Sequence, residues 1–430
     1  MKPPIKIAIA GLGTVGTGVL KLLTENGPLL QKRCGRPIIV TAVSARDRTR
    51  DRGVPLDGIA WFDDPADMAR RADADIIVEL IGGGDGPARR TVEAAIATGR
   101  HVVTANKALL ALHGTALARA AEARGVSLAY EAAVAGGIPV IKALREGIAA
   151  NRVTRVYGIL NGTCNYILSV MRETGRSFDD VLAEAQRLGY AEADPSFDVD
   201  GIDAAHKLAI LAGVAFGTEV NFSGVYIEGI RHVDAMDMEY AEELGYRIKL
   251  FGIARLTDHG LEQRVHPCMV PIDSPIAHVE DVFNAVVIEG NFVGSTVYEG
   301  RGAGAGPTAS AVTADILDIA AGRYAHTFGV PATALSALPV SPMERHRGAY
   351  YVRLMVTDRP GVIADVTAAL RDEQVSLEAM LQRGRQPGEM VPVVLTTHEA
   401  EEAAMNRALT RIAALETVLQ PPRMIRIEQF

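Results

Sequence analysis

The first third of the chain alternates short apolar, β-branched runs with longer segments whose apolar residues recur at helical spacing. Runs at 5–10 (IKIAIA), 37–44 (PIIVTAVS), 75–81 (DIIVELI), 101–104 and 127–131 predict buried strands. Helical spacing follows at 17–24, 87–99 and 114–124. This alternation predicts an α/β, doubly wound parallel sheet buried on both faces. From residue 153 the pattern changes. A strand at 155–160, helices at 165–174 and 178–188, an acidic loop and a helix opening at Asp203 come first. Short β-like runs at 224–233, 246–256, 262–271, 276–279 and 283–293 then predict an α+β unit with a mixed sheet. The last stretch reads strand, turn (358–361), helix (362–372), strands (375–382, 390–397), helix (399–415), strand: a ferredoxin-like βαββαβ module. The expected division is 1–135, completed by 301–330; a substrate-binding, catalytic and dimerisation unit at 136–300; a Pro- and Ser-containing connection at 331–348; and 349–430.

The first strand runs straight into GLGTVG. Gly11 permits a tight turn, Gly13 lets a pyrophosphate approach the backbone, and Gly16 lets the helix pack on the strand. Thr14 and Val15 lie between them, where the helix N-terminus offers unpaired N–H groups to phosphate. A strand before and a helix after GxGxxG is the context that marks a Rossmann-type dinucleotide site. The second strand ends Ser44-Ala45-Arg46-Asp47. No acidic residue stands at its tip for a ribose 2′-OH, and Arg46 suits a 2′-phosphate or is an ordinary loop arginine. NADP is slightly preferred over NAD, with Asp47 leaving the choice open. Thr104 and Lys107 stand at the carboxyl end of a parallel strand, where such sheets bind ligands. A second glycine loop, 300–307 including Gly302, opens the helix 308–321 and can close over a cofactor.

Residues 189–201 gather Glu192, Asp194, Asp198 and Asp200 just before Asp203 and Lys207, which are four apart and share a helix face. Such a pair is often only a solvated salt bridge. Beside a nucleotide half it suits a small polar, cation-bearing substrate. Reduction of a carbonyl by hydride needs a proton donor, and Lys207 and Lys107 are the candidates, with desolvation lowering a lysine pKa toward a working value. Glu131 and the carbonyls of Val134, Gly136 and Ile138 are a donor set for a hard monovalent cation, the alternative being a plain interdomain crossing.

With 430 residues and 48% hydrophobic content the chain can bury a sizeable core. A formal charge of −8 without a Lys/Arg cluster argues against a nucleic-acid partner. No apolar run spans a bilayer, no signal peptide opens the chain, and three scattered cysteines form no disulfide or zinc framework, so the expected location is cytoplasmic.

GLGTVG, VTANKALL, YEAAVAGGIP, NGTCNYIL, GYAEADPSFDVDGIDAAHKLAIL and GRGAGAGPTASAV resemble, in order, the motifs of homoserine dehydrogenases over residues 5 to about 325. The tail, with DRPGVIADV, resembles an ACT domain. The resemblance implies NAD(P)-dependent interconversion of L-aspartate 4-semialdehyde and L-homoserine on the threonine, methionine and isoleucine route. It implies Lys207 as the acid/base, Lys107 as a second lysine at cofactor and substrate, Glu192 as a substrate ligand, and Thr163, Tyr190, Asp198 and Asp203 completing the pocket. It further implies a sodium ion at Glu131, Val134, Gly136 and Ile138, a homodimer or homotetramer, and L-threonine as effector through the ACT domain. Two other readings stand beside it. Cys164 with His206 as base would make an aldehyde-acylating enzyme, and a nucleotide fold with an ACT domain can serve as a sensor without chemistry.

Overall fold

Strands of near-continuous apolar residues, such as Ile5–Ala10, lie almost wholly buried, which a sheet covered on both faces requires. The computed structural model describes residues 2–383 and 387–430. Its first sheet contains β1 (Ile5–Ala10), β2 (Ile38–Ser44), β3 (Ala60–Phe62), β4 (Ile76–Glu79), β5 (His101–Thr104) and β6 (Leu128–Ala129). They run parallel in the order β3-β2-β1-β4-β5-β6, a Rossmann-like topology. The Ala305–Ala321 helix returns late in the chain to cover this sheet, where Val312 and Ile316 join Ile7, Ile9 and Val78 in one core. Its contact with the Thr14–Glu25 helix is close: a Cβ on Gly18 would lie 2.9 Å from the Ala305 carbonyl oxygen.

Several boundaries differ from expectation for local reasons. The first helix begins at Thr14 rather than 17, with Gly13 as its N-cap. A further helix, Gly27–Cys34, follows, with proline in its first turn. The helix expected from 114 starts at Lys107, because the Asn106 side chain caps it by accepting from the Leu109 N–H at 3.0 Å. The strand expected through Glu131 stops at Ala129, and Glu131–Ala133 forms a 3-10 turn.

The second sheet has β7 (Val153–Ile159), β8 (Tyr226–Ile227), β9 (Tyr246–Thr257), β10 (Gly260–Pro271), β11 (Phe283–Gly290) and β12 (Gly294–Arg301). The β-like runs at 224–233 and 276–279 shrink to β8 and to the 3-10 turn Pro275–His278. The C-terminal part supplies β13 (Arg347–Thr357), β14 (Leu377–Gln382), β15 (Met390–Thr397), β16 (Ala400–Glu401) and β17 (Arg423–Ile427), with helices Val362–Asp372 and Glu402–Ala413. These complete the βαββαβ order.

The two β regions are one sheet. β17 pairs parallel with β10, matching Cys268 to Arg426, so the strand path runs β12-β11-β7-β9-β10-β17-β13-β15-β14. Buried ion pairs tie the seam: Arg264 Nη1 to Glu428 at 2.5 Å, and Arg426 Nη2 to Glu402 at 2.5 Å. Within 331–348, residues 339–341 run beside the start of β10, the Leu261 N–H donating to the Pro339 carbonyl at 2.8 Å.

Candidate active site

The glycines of the first loop stand as the chemistry of a phosphate loop requires. Gly11 has φ +100 and a Cβ there would meet the Leu80 carbonyl oxygen at 2.5 Å; one on Gly16 would meet the Gly11 oxygen at 2.0 Å. Beside Gly13 nothing lies within 4 Å of the Cβ position, so a ligand can approach the backbone. A cleft of about 500 Å³ opens here, lined by Gly13, Thr14, Lys21, Arg50, Arg52 and Ala305. Val15 is half-buried behind it. Arg46 is exposed and does not line the cleft; Arg50 and Arg52 do. Arg52 also lies over the Trp61 ring at 5.5 Å. Asp47 is turned onto Thr49, accepting from its N–H at 2.8 Å and its hydroxyl at 2.7 Å. Thr104 is buried, its hydroxyl donating to Glu79 at 2.7 Å, so it supports the strand end rather than facing the cleft.

A second cavity, about 420 Å³, lies between the two sheets and is lined by Lys107, Thr163, Tyr190, Asp198, Asp203 and Lys207, with Asn284 and Gly302–Gly304 on its other wall. Asp203 is at its centre. The Ile202–Phe216 helix presents Asp203 in its first turn. Its Oδ1 lies 2.7 Å from Lys107 Nζ and its Oδ2 2.7 Å from Lys207 Nζ. Lys207 Nζ also donates to the Leu160 carbonyl at 2.7 Å. Asn161 caps the Gly162–Thr174 helix through its oxygen, while its Nδ2 donates to Asp198 and Asp203, each at 2.8 Å. Thr163 Oγ1 stands 2.9 Å from the Tyr190 carbonyl and 3.1 Å from Asp198 Oδ2. Sequence reasoning missed Asn161, although Asn before a helical run is an N-cap signal.

Electrostatics follow from burial and charge. Burial raises the Asp203 carboxyl, but the two ammonium groups overcome it and hold it well below the usual carboxylate range. Burial and the Asp203 charge hold Asp198 above its ordinary value. Burial alone would depress Lys107, but Asp203, with smaller help from Asp198 and Glu192, leaves its pKa raised. The lowering by desolvation expected for a lysine here is therefore reversed at Lys107. Of the loop carboxylates only Asp198 and Asp203 line the cavity. Asp194 accepts from Ser196 N–H at 3.1 Å, Asp200 pairs with Arg231 at 2.5 Å, and Glu192 is exposed outside the lining.

Cys164 is wholly buried, its thiol pushed well up by burial, with Sγ 3.3 Å from the Asp198 carbonyl. It lacks the thiolate character a nucleophile needs. His206 sits between Phe197 and Phe222, its pKa lowered by burial.

At the crossing after β6, the Glu131 carboxylate accepts from the N–H groups of Ile141 and Lys142, both at 2.9 Å. Burial and then the Asp315 charge push it up to about 7. Ala135 and Gly136 are both left-handed, which turns the carbonyls of Val134, Gly136 and Ile138 through a tight bend. A Cβ on Gly136 would meet the Gly302 oxygen at 2.3 Å. Lys142 faces Asp315 at 3.4 Å and also bonds Asp318. Glu131 and Asp315 face Lys142 and Arg145 here, so the buried charges are matched; the bend sets carbonyl oxygens near the Glu131 carboxylate, the donor type a hard cation takes.

A dinucleotide loop, a lysine–carboxylate–lysine centre in the neighbouring cavity, and a C-terminal βαββαβ module define an NAD-binding oxidoreductase with an appended ACT domain. The chain matches the family models described as "Homoserine dehydrogenase, NAD binding domain" over 11–131, "Homoserine dehydrogenase" over 139–317 and "ACT domain" over 350–416. It is 46% identical over 434 residues to the homoserine dehydrogenase of Neisseria gonorrhoeae, covering 99% of each chain. To that of Pseudomonas aeruginosa it is 48% identical over 438 residues, again with 99% of each covered. Its structure is similar to that of a homoserine dehydrogenase from Thiobacillus denitrificans, with TM-score 0.93 and 48% identity over 99% of this chain and 98% of that one. A hyperthermophilic archaeal homoserine dehydrogenase solved in complex with NADPH matches with TM-score 0.63 and 27% identity, over 73% of this chain and 97% of that one. This chain belongs to the homoserine dehydrogenase family.

Proposed function

We propose that the protein interconverts L-aspartate 4-semialdehyde and L-homoserine, on the route to threonine, methionine and isoleucine. The observation that carries this is Asp203 held between Lys107 and Lys207 in a cavity adjoining a dinucleotide cleft. A bound nicotinamide dinucleotide supplies the hydride. Lys207 Nζ, with Asp203 and Leu160 as fixed acceptors, has one N–H left to deliver a proton to the substrate carbonyl oxygen, and takes it back in reverse. Lys107, kept charged by Asp203, binds at the junction of cofactor and substrate. Asp198, with Thr163 and Tyr190, holds the substrate α-ammonium, and Glu192 approaches from the rim. Gly11, Gly13, Thr14, Val15 and Gly16 form the phosphate cradle, and Gly302 meets the cofactor on the wall of the second cavity.

NADP is the preferred cofactor in this reading. The support is Arg50 and Arg52 on the cleft wall, where they outnumber the Asp51 between them, with Asp47 already engaged by Thr49. A sodium ion would be held by Glu131 and the carbonyls of Val134, Gly136 and Ile138. Residues 1–135 with 301–330 act as the nucleotide domain, 136–300 as the substrate and dimerisation domain, 331–348 as connection, and 349–430 as a threonine-sensing domain. The active species is a homodimer or homotetramer in the cytoplasm. Among the described residues no helix is long and apolar enough to cross a membrane.

NADPH and NADH oxidation by the purified protein with aspartate 4-semialdehyde, with and without threonine, tests this directly. Homoserine should form faster with NADPH, and threonine should slow it. No turnover with either cofactor would overturn the assignment in favour of a ligand sensor.

A further inference from the structure

One side chain on the cavity wall has no part in the chemistry above. Asn284, near the start of β11, is 1% exposed, and its Nδ2 is enclosed without a hydrogen-bond partner. Buried amides in folded proteins are nearly always satisfied, so an orphaned one at a ligand cavity marks a missing partner.

Two further features locate that partner. Gly302 lies flat against the amide: a Cβ there would sit 2.2 Å from Asn284 Cγ and 2.5 Å from Nδ2. The glycine loop and the amide are thus fitted to each other, and a larger residue at 302 would force the amide to move. Asn284 and Gly302 share the catalytic cavity with Lys107 and Lys207, whereas Ala305 lines the phosphate cleft. The amide therefore stands where the glycine loop passes from phosphate cleft to reaction centre.

We infer that Asn284 positions the cofactor ring, its amide pairing with the primary carboxamide that a nicotinamide carries. An amide offers a donor and an acceptor side by side, and a carboxamide is its complement; a carboxylate or an aldehyde satisfies only the donor. Such a pair fixes which face of the ring meets the substrate. The inference rests on the dehydrogenase reading above.

Asn284→Ala tests it, because alanine removes both polar groups without adding bulk against Gly302. Since Asn284 Nδ2 has no partner in the free protein, the variant's free melting temperature should change little. NADPH affinity, read by fluorescence titration, should fall by about tenfold or more, the equivalent of one or two lost hydrogen bonds. The reduced 3-acetylpyridine analogue, whose ketone lacks the amide N–H, should lose much less. Transfer from ring-deuterated cofactor should also lose face selectivity. Equal losses for both cofactors, or a markedly lower melting temperature of the free variant, would overturn the proposal. Wild-type protein that binds NADPH but does not turn over aspartate 4-semialdehyde would remove the parent reading instead, and the titrations would still decide the role of Asn284.

Discussion

Lys107 Nζ lies 2.7 Å from Asp203 Oδ1, a contact that reaches from the carboxyl end of β5 to the first turn of a helix 96 positions further along. It joins the nucleotide half to the substrate half inside the second cavity. Asp203→Asn would leave two ammonium groups facing each other across a neutral amide. We expect kcat to fall by about 100-fold, within the range typical of lost proton-transfer geometry. The sign of the pH effect is fixed by Lys107: its raised pKa depends on Asp203, so the variant's Lys107 should deprotonate at lower pH. The alkaline limb of the kcat profile should move down. An unmoved limb would mean that Lys107 charge is not required.

Lys207 is bonded differently from Lys107. Leu160 and Asp203 fix its ammonium in place and leave one N–H for substrate. Lys207→Ala should lower kcat by about 100- to 10,000-fold while NADPH affinity changes little. Steady-state kinetics with fluorescence titration checks this split. A large loss of affinity with kcat retained would reverse the assignment of the two lysines.

Much of this site was legible because its parts are local. Glycine spacing, strand-to-helix alternation and the i, i+4 pair Asp203–Lys207 depend on neighbours in the chain. What escaped was set by contacts between distant segments. Glu192 looked equivalent to Asp198, but only Asp198 meets Asn161, 37 positions away. Arg46 stood at the expected strand tip, yet the chain turns and brings Arg50 and Arg52 to the cleft instead. Asn284 carries no local signal at all, since its meaning comes from Gly302 lying against it. The seam between β10 and β17 was equally hidden, because a parallel pairing between remote strands leaves no pattern in either one.

Glu131 gives a prediction about the cation. Its carboxyl is raised from 4.5 to about 7, so the folded chain holds the proton more tightly than the unfolded chain. The stabilising contribution is full below the ordinary value and is lost as pH rises between the two, by about 3 kcal/mol in all. A sodium ion bound at Glu131 would favour the ionised form and offset that loss. Replacing tetramethylammonium with sodium at equal ionic strength should therefore raise the melting temperature at pH 8 and have little effect at pH 5. Glu131→Gln should abolish the difference. An equal sodium effect at both pH values would remove Glu131 from the cation site.

Cys164 lies beside the cavity but is sealed from it, and its thiol is held protonated by burial. Cys164→Ser should retain turnover within about threefold, since a buried S-to-O exchange perturbs packing and hydrogen bonding modestly. Loss of all activity in a folded variant would revive a covalent mechanism.

The C-terminal segment is built into the second sheet, which changes what its removal would do. Deleting residues 349–430 strips β17 from β10 and leaves Arg264, 1% exposed, without Glu428. Arg264 keeps Glu262 at 2.8 Å, so losing one of two carboxylate partners costs less than the about 3–5 kcal/mol of a buried charge left alone, while a bare central strand becomes an edge open to aggregation. We expect the truncated chain to be poorly soluble or to melt far below the intact one, so lost threonine sensitivity on truncation would say nothing about where threonine binds. Glu428→Gln isolates the ion pair without removing the strand, and should lower stability to urea by a smaller amount than truncation. Equal melting temperatures for the truncated and intact chains would show that the β10–β17 seam contributes nothing to the catalytic half.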